Sequence, residues 1–153
     1  MLPSLFTSYQ AGLKTRRVSA VWRGYGSAVF LEIGNLFPRQ KKDGSDGKPY
    51  GEYTVMIEWS WRIETKTAII AGSWSDETKW EDIFNSLVGL RVENVKFFGH
   101  LPELLIELEG GLYVSSFMTS DGQPAWTLFE RSEDGKKLSS LSVSEGRVVE
   151  TFN

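Results

Sequence analysis

Apolar and polar residues alternate most sharply between positions 52 and 64. Tyr53, Val55, Ile57, Trp59, Trp61 and Ile63 take the odd positions. Glu52, Thr54, Glu58, Ser60, Arg62 and Glu64 take even ones, with Met56 the apolar exception. Successive side chains of a strand point to opposite faces, so this segment reads as one long strand with an aromatic face and a polar face. Its length invites a bend or bulge. Weaker alternation predicts further strands at 18–23, 28–33, 67–74, 103–109, 112–119, 125–131, 137–143 and 147–152. Gly24-Tyr25-Gly26, Gly110-Gly111, Asp121-Gly122 and Asp134-Gly135 supply turns between them.

One segment changes period. Trp80, Ile83, Phe84 and Leu87 fall at i, i+3, i+4 and i+7, one face of a helix. Thr78 and Glu81 have capping-box spacing, and Gly89 is placed to end the element. The pattern predicts one short helix near 77–87. Trp59, Trp61 and Trp80 all sit on apolar faces and are expected in the core. Residues 34–51 form the longest loop, a charged excursion holding Arg39, Lys41, Lys42 and Lys48 and expected to be mobile.

The two halves resemble each other. Gly12-Leu13-Lys14 followed by Val18 matches Gly89-Leu90-Arg91 followed by Val95 at one constant offset. Leu31-Glu32-Ile33 matches Ile106-Glu107-Leu108, and Trp61-Arg62-Ile63 matches Trp126-Thr127-Leu128. Repeat units at 12–74 and 89–152, joined by the helix, are expected to share a single domain, because neither is large enough for a core of its own. The fold class expected is mainly β (α+β by strict count). It is an internally duplicated antiparallel β-meander, closed as a sandwich or partly open barrel.

Composition narrows the function. The 153 residues carry 17 Lys+Arg against 20 Asp+Glu, a net charge of -3, which argues against duplex nucleic acid as a partner. There is no Cys and one His, so disulfides, thiolate metal sites and Cys nucleophiles are excluded within this sequence. His100 sits in a turn-like Phe98-Gly99-His100-Leu101-Pro102 run without a partnering Gly-x-Ser-x-Gly elbow. Asp43-Gly44-Ser45-Asp46-Gly47 lacks the ligand ladder of a calcium loop. No catalytic residue, metal or cofactor is expected. A carboxylate hydrolase using Glu58 and Glu107 is the weakest alternative, because both fit a solvated strand face. The first ten residues show no signal-peptide pattern and no run approaches a membrane span, so a cytoplasmic protein without membrane contact is expected.

The six Trp leave a binding question open. Trp22 and Trp74 lie near strand ends, where an exposed ring could stack on a sugar or another small ligand. The basic residues Arg39, Lys41, Lys42 and Lys48 could instead meet a protein partner. The run Gly-Leu-x-Val-x-x-Val, then Leu-Leu-Ile-Glu-Leu-x-Gly-Gly-Leu, then Trp-x-Leu, spans residues 89–129. It resembles small bacterial β-rich domains of uncharacterised function, some of them immunity-like. That resemblance implies a non-enzymatic bacterial protein that binds a protein partner. The alternative is a β-barrel binding a small molecule or carbohydrate through Trp22 and Trp74.

Overall fold

The computed structural model describes residues 4–121 and 124–153. The expected turn at Asp121-Gly122 therefore falls partly outside the described residues. Helix α1 (Ser4–Leu13) opens the chain, followed by β1 (Val18–Arg23), β2 (Val29–Phe37), β3 (Tyr50–Ile57), β4 (Trp61–Glu64) and β5 (Ile69–Gly72). A 3-10 turn (Glu77–Lys79) leads into α2 (Trp80–Leu87). Then come β6 (Val92–Phe98), β7 (Glu103–Leu108), β8 (Leu112–Ser116), β9 (Trp126–Arg131), β10 (Lys137–Ser144) and β11 (Arg147–Phe152). All pairings are antiparallel. Sheet 1 runs β1-β2-β3-β9-β10-β11 and sheet 2 runs β5-β4-β8-β7-β6. The arrangement is mainly β and sandwich-like, as the alternation predicts.

The long 52–64 strand is two strands in different sheets. β3 ends at Ile57 in sheet 1 and β4 begins at Trp61 in sheet 2. Alternation survives the crossing because both inner faces look into one core: Ile57, Trp61 and Ile63 are all buried. Trp59 falls within the crossover and is 49% exposed, so its expected place in the core is corrected. A crossing backbone belongs to neither sheet face, and the alternation rule has no hold there.

The second helix, α1, lies outside the expected elements. Leu5, Phe6, Tyr9 and Leu13 are its buried face. Phe6 stacks on Phe97 with ring centroids 3.9 Å apart, and the Tyr9 hydroxyl shares a 2.7 Å hydrogen bond with Ser139 Oγ. The predicted helix α2 buries Trp80, Phe84 and Leu87. Trp61 contacts both aromatic rings at centroid distances of 5.1 and 5.6 Å. One continuous core joins both helices to both sheets.

Each half of the chain lays its strands down in the same order. Strands one to three of a half form a meander in one sheet (β1-β2-β3, β6-β7-β8), and strands four and five cross to the other (β4-β5, β9-β10). The registers agree as well. Val18 faces Ile33 ahead of a bulge at Ala20, and Val92 faces Leu108 ahead of a bulge at Asn94. Ile57 faces Trp126, and Ser116 faces Trp61. Trp61 Nε1 donates to Ser27 O in the β1–β2 turn; Trp126 Nε1 donates to Pro102 O in the β6–β7 turn. In these registers Glu32 takes the place of Glu107 and Trp61 that of Trp126. Val18 takes the place of Val92 rather than Val95. Arg17 and Arg91 bridge each other where the halves meet.

Candidate functional site

The sequence candidates separate into three places. Arg39 is half-buried: its guanidinium lies 4.8 Å from the Tyr50 ring centre and NH1 donates to Tyr50 Oη at 3.0 Å. Lys41 and Lys42 are exposed at the tip of the same loop. The loop is closed on itself by a Gln40–Asp46 bridge, by Lys41 N donating to Ser45 O and by Gly47 N donating to Arg39 O. Lys48 lies apart from that tip and, with Trp22, lines a cleft of about 440 Å³ against Trp80 and Phe84 of α2. Among the described residues Lys41, Lys42 and Lys48 form no ion pair.

Trp22 is engaged within the fold. Its ring stacks on Phe30 at 4.1 Å with 6° between the planes, and Nε1 donates to Glu32 Oε2 at 2.8 Å. Glu32 is fully buried and also accepts from Gly51 N and Thr54 Oγ1. Arg131 NH1 donates to Thr54 Oγ1, extending the network. Burial lowers the pKa of Arg131, against the opposing pull of Glu32. This is a satisfied buried network, and it fixes the outer face of sheet 1 where the charged loop begins.

Trp74 stands in the opposite situation, 93% exposed on the turn that follows β5. The turn is pinned. Ser73 N donates to Trp61 O and Ser75 N to Gly72 O, both at 3.0 Å. Ser75 Oγ accepts from Gly72 N and from Trp80 Nε1, and donates to Gly72 O at 2.8 Å. A large apolar ring is therefore held in water by a fixed backbone. It rims a groove of about 460 Å³ lined by Ile69, Arg62, Phe117, Gly72 and Thr119. Ile69, Ile70 and Phe117 are 65%, 45% and 52% exposed.

Arg62 lines this groove and is ion-paired with Glu64. Arg62 lies 5.6 Å from the Phe117 ring centre. Its Nε is 3.3 Å from Glu64 Oε2, yet buried without a hydrogen bond, because the geometry is not aligned. Ser115, directly across the ladder from Arg62, also has a buried hydroxyl without a partner. Sequence reasoning singles out Trp74 from its place near a strand end. It misses Arg62, Ile69 and Phe117, because the groove joins the β4·β5 pair to the end of β8, which lies far along the sequence.

The carboxylates named for hydrolysis are not assembled into a pair. Glu107 is bound by Lys96 Nζ at 2.8 Å, and Glu58 lies in the crossover between the sheets. His100 is exposed in the β6–β7 turn. Among the described residues no group of three or more His, Cys, Asp or Glu is placed to hold a metal, and no helix is long and apolar enough to cross a membrane. A wider hollow of about 630 Å³ near Leu101, Met118 and Gly146 carries only Asp121 and Glu145 as charged lining. Compared with models of protein families, with curated proteins and with solved structures, the chain finds no match in any of the three.

Proposed function

We propose that this protein is a non-catalytic binding module that engages a protein partner through the groove rimmed by Trp74. The observation that carries the reading is the exposure of Trp74 on a turn fixed by Ser73 and Ser75. Leaving so large an apolar ring in water forgoes burial, and pinning its backbone removes the entropy cost of ordering it on contact. Trp and Arg are the side chains that most often dominate protein interfaces, and here Trp74 and Arg62 share one groove. Ile69 and Phe117 extend the apolar area around them. The exposed Lys41 and Lys42 offer a second, electrostatic contact that would steer encounter rather than hold the complex.

Affinity capture from the native host, followed by reconstitution of the complex from purified components, tests this reading. Trp74→Ala is expected to weaken the reconstituted complex roughly 30-fold or more, as hot-spot truncations do. A partner bound equally well by the Trp74→Ala protein overturns the reading. A soluble sugar that shifts the fluorescence of the intact chain but not of the Trp74→Ala variant, with no protein partner captured, replaces it with the carbohydrate-binding alternative.

A further inference from the structure

We propose that the cleft between α2 and the edge strand β1 is a second site, which binds a free α-amino acid with an aromatic or other large apolar side chain. The cleft holds about 440 Å³, within the range of small-molecule sites, and shares no lining residue with the Trp74 groove. The inference therefore stands independently of the protein-binding reading. Two candidates that the groove leaves unused, Trp22 and Lys48, meet here.

The apolar wall of the cleft is already in place. Trp22 is half-buried, and Phe30 covers one face of its ring at 4.1 Å. Trp22 Nε1 donates to Glu32 Oε2 at 2.8 Å, while Glu32 Oε1 accepts from Gly51 N at 3.0 Å. One fully buried carboxylate thus braces both the indole and the end of the loop that carries Lys48. On the other side of Lys48, Gly47 N donates to Arg39 O at 2.8 Å. Neither the ring nor the backbone beneath the lysine has to be ordered when a ligand arrives. Val21 and Phe84 continue the apolar surface.

The charges state the chemistry of the ligand. Arg23 and Glu77 line the cleft but pair with each other at 3.0 Å, and Arg23 lies 4.9 Å from the Trp80 ring centre. Lys48 and Glu81 remain. Both are exposed, and among the described residues neither forms an ion pair. Glu81 comes from α2 and Lys48 from the β2–β3 loop, so the two charges approach from different elements. A cation and an anion that border one cleft without meeting leave room for a ligand carrying both signs. Asn85 follows Glu81 by one helical turn on the same face and adds an amide that can donate and accept. An α-amino acid matches this set. Its carboxylate reaches Lys48, its ammonium reaches Glu81 and Asn85, and its side chain rests on Trp22. Two basic and two acidic residues line the cleft, so a ligand of large net charge, such as a phosphate ester, is not favoured.

Titration of the intact chain with L-phenylalanine, read by the protein's Trp fluorescence and by calorimetry, tests this. Saturable binding is expected. Capping either charged end of the ligand, as N-acetyl-phenylalanine or as phenylalanine amide, is expected to weaken it about fivefold or more. Lys48→Gln is expected to weaken L-phenylalanine to the level of the amide and to leave the amide itself unchanged. Glu81→Gln is expected to stand in the same relation to the N-acetyl form. Both positions are exposed, so both variants are expected to keep the fold. Trp74→Ala is expected to bind as the intact chain does. No saturable response below about 10 mM to phenylalanine or to any other apolar L-amino acid overturns the proposal. Binding indifferent to both capped ends, or to both Lys48→Gln and Glu81→Gln, overturns it as well. A response lost with Trp74→Ala moves the ligand to the groove and overturns the cleft as its site.

Discussion

Sheet 1 closes its β9·β10 pair with β11, whereas sheet 2 carries the corresponding β4·β5 pair and stops. The strands are laid down in one order and share the register around Trp61 and Trp126, and after their fifth strands the halves part ways. A Glu145-Gly146 turn returns the chain to the sheet; Ser73-Trp74-Ser75 sends it away and leaves a Trp at the surface. The same contrast recurs at the central carboxylates. Glu32 is walled in by Trp22, Gly51 and Thr54, while Glu107 holds Lys96 at the surface. Matching backbone positions thus carry different chemistry: Glu32 is committed to a buried network, and Glu107 to an ion pair at the surface.

The comparison is broken most directly at its matching tryptophans. Trp61 and Trp126 are both buried, each tied by its indole N–H to the turn between the first two strands of a half. Trp61→Ala and Trp126→Ala are each expected to cost about 3–5 kcal/mol, read from urea unfolding midpoints. If either variant fails to fold, Trp→Phe at the same position gives a milder pair. A marked difference between the two costs would show that the shared register does not carry shared packing.

The carboxylates give the next largest effect. Glu32→Gln places an amide N–H₂ among donors and is expected to cost about 2–3 kcal/mol. Glu107→Gln is expected to leave the unfolding midpoint nearly unchanged, because its partner Lys96 is exposed. Equal losses at the two positions would remove the distinction between the sheets.

The smallest effect separates the helices. Burial pushes the Tyr9 hydroxyl of α1 from 10.0 up to about 12, while α2 buries Trp80, Phe84 and Leu87, none of which ionises. A raised folded-state pKa carries stability that is complete below the unfolded value near 10 and drains as pH rises toward 12. The protein is therefore expected to lose about 1–2 kcal/mol across that window. Tyr9→Phe starts about 1 kcal/mol lower for want of the Ser139 bond, but falls less steeply. Parallel alkaline titrations of the two proteins check this, and identical slopes would discharge Tyr9 from the effect.

Much of the scaffold is legible in the sequence because strand alternation is a local signal. Strands 18–23 and 147–152 are predicted with the bounds they have in the fold, and α2 announces itself through Trp80, Ile83, Phe84 and Leu87. α1 is not legible. Ser4, Thr7, Ser8 and Gly12 are indifferent or poor helix formers, and the apolar face of Leu5, Phe6, Tyr9 and Leu13 is helical only once it has β6 and β10 to pack on. Alternation through 52–64 conceals the change of sheet, since one core reads both inner faces alike. Of the site, only Trp74 is visible. Arg62, Ile69 and Phe117 meet through β4 pairing with β5 and β8, and such register is not written in any one segment.

The crossing of strands between halves has a consequence for how the chain reaches its fold. Sheet 1 is held at its centre by β3 against β9, which joins Tyr53 to Glu130 and Ile57 to Trp126. Sheet 2 is held by β4 against β8. Neither sheet can be completed from one half alone, so these central contacts wait on loop closures spanning much of the chain. Such non-local pairing places the protein among slow folders, and a nascent chain that ends before β9 presents the edge of β3 with no strand to pair it.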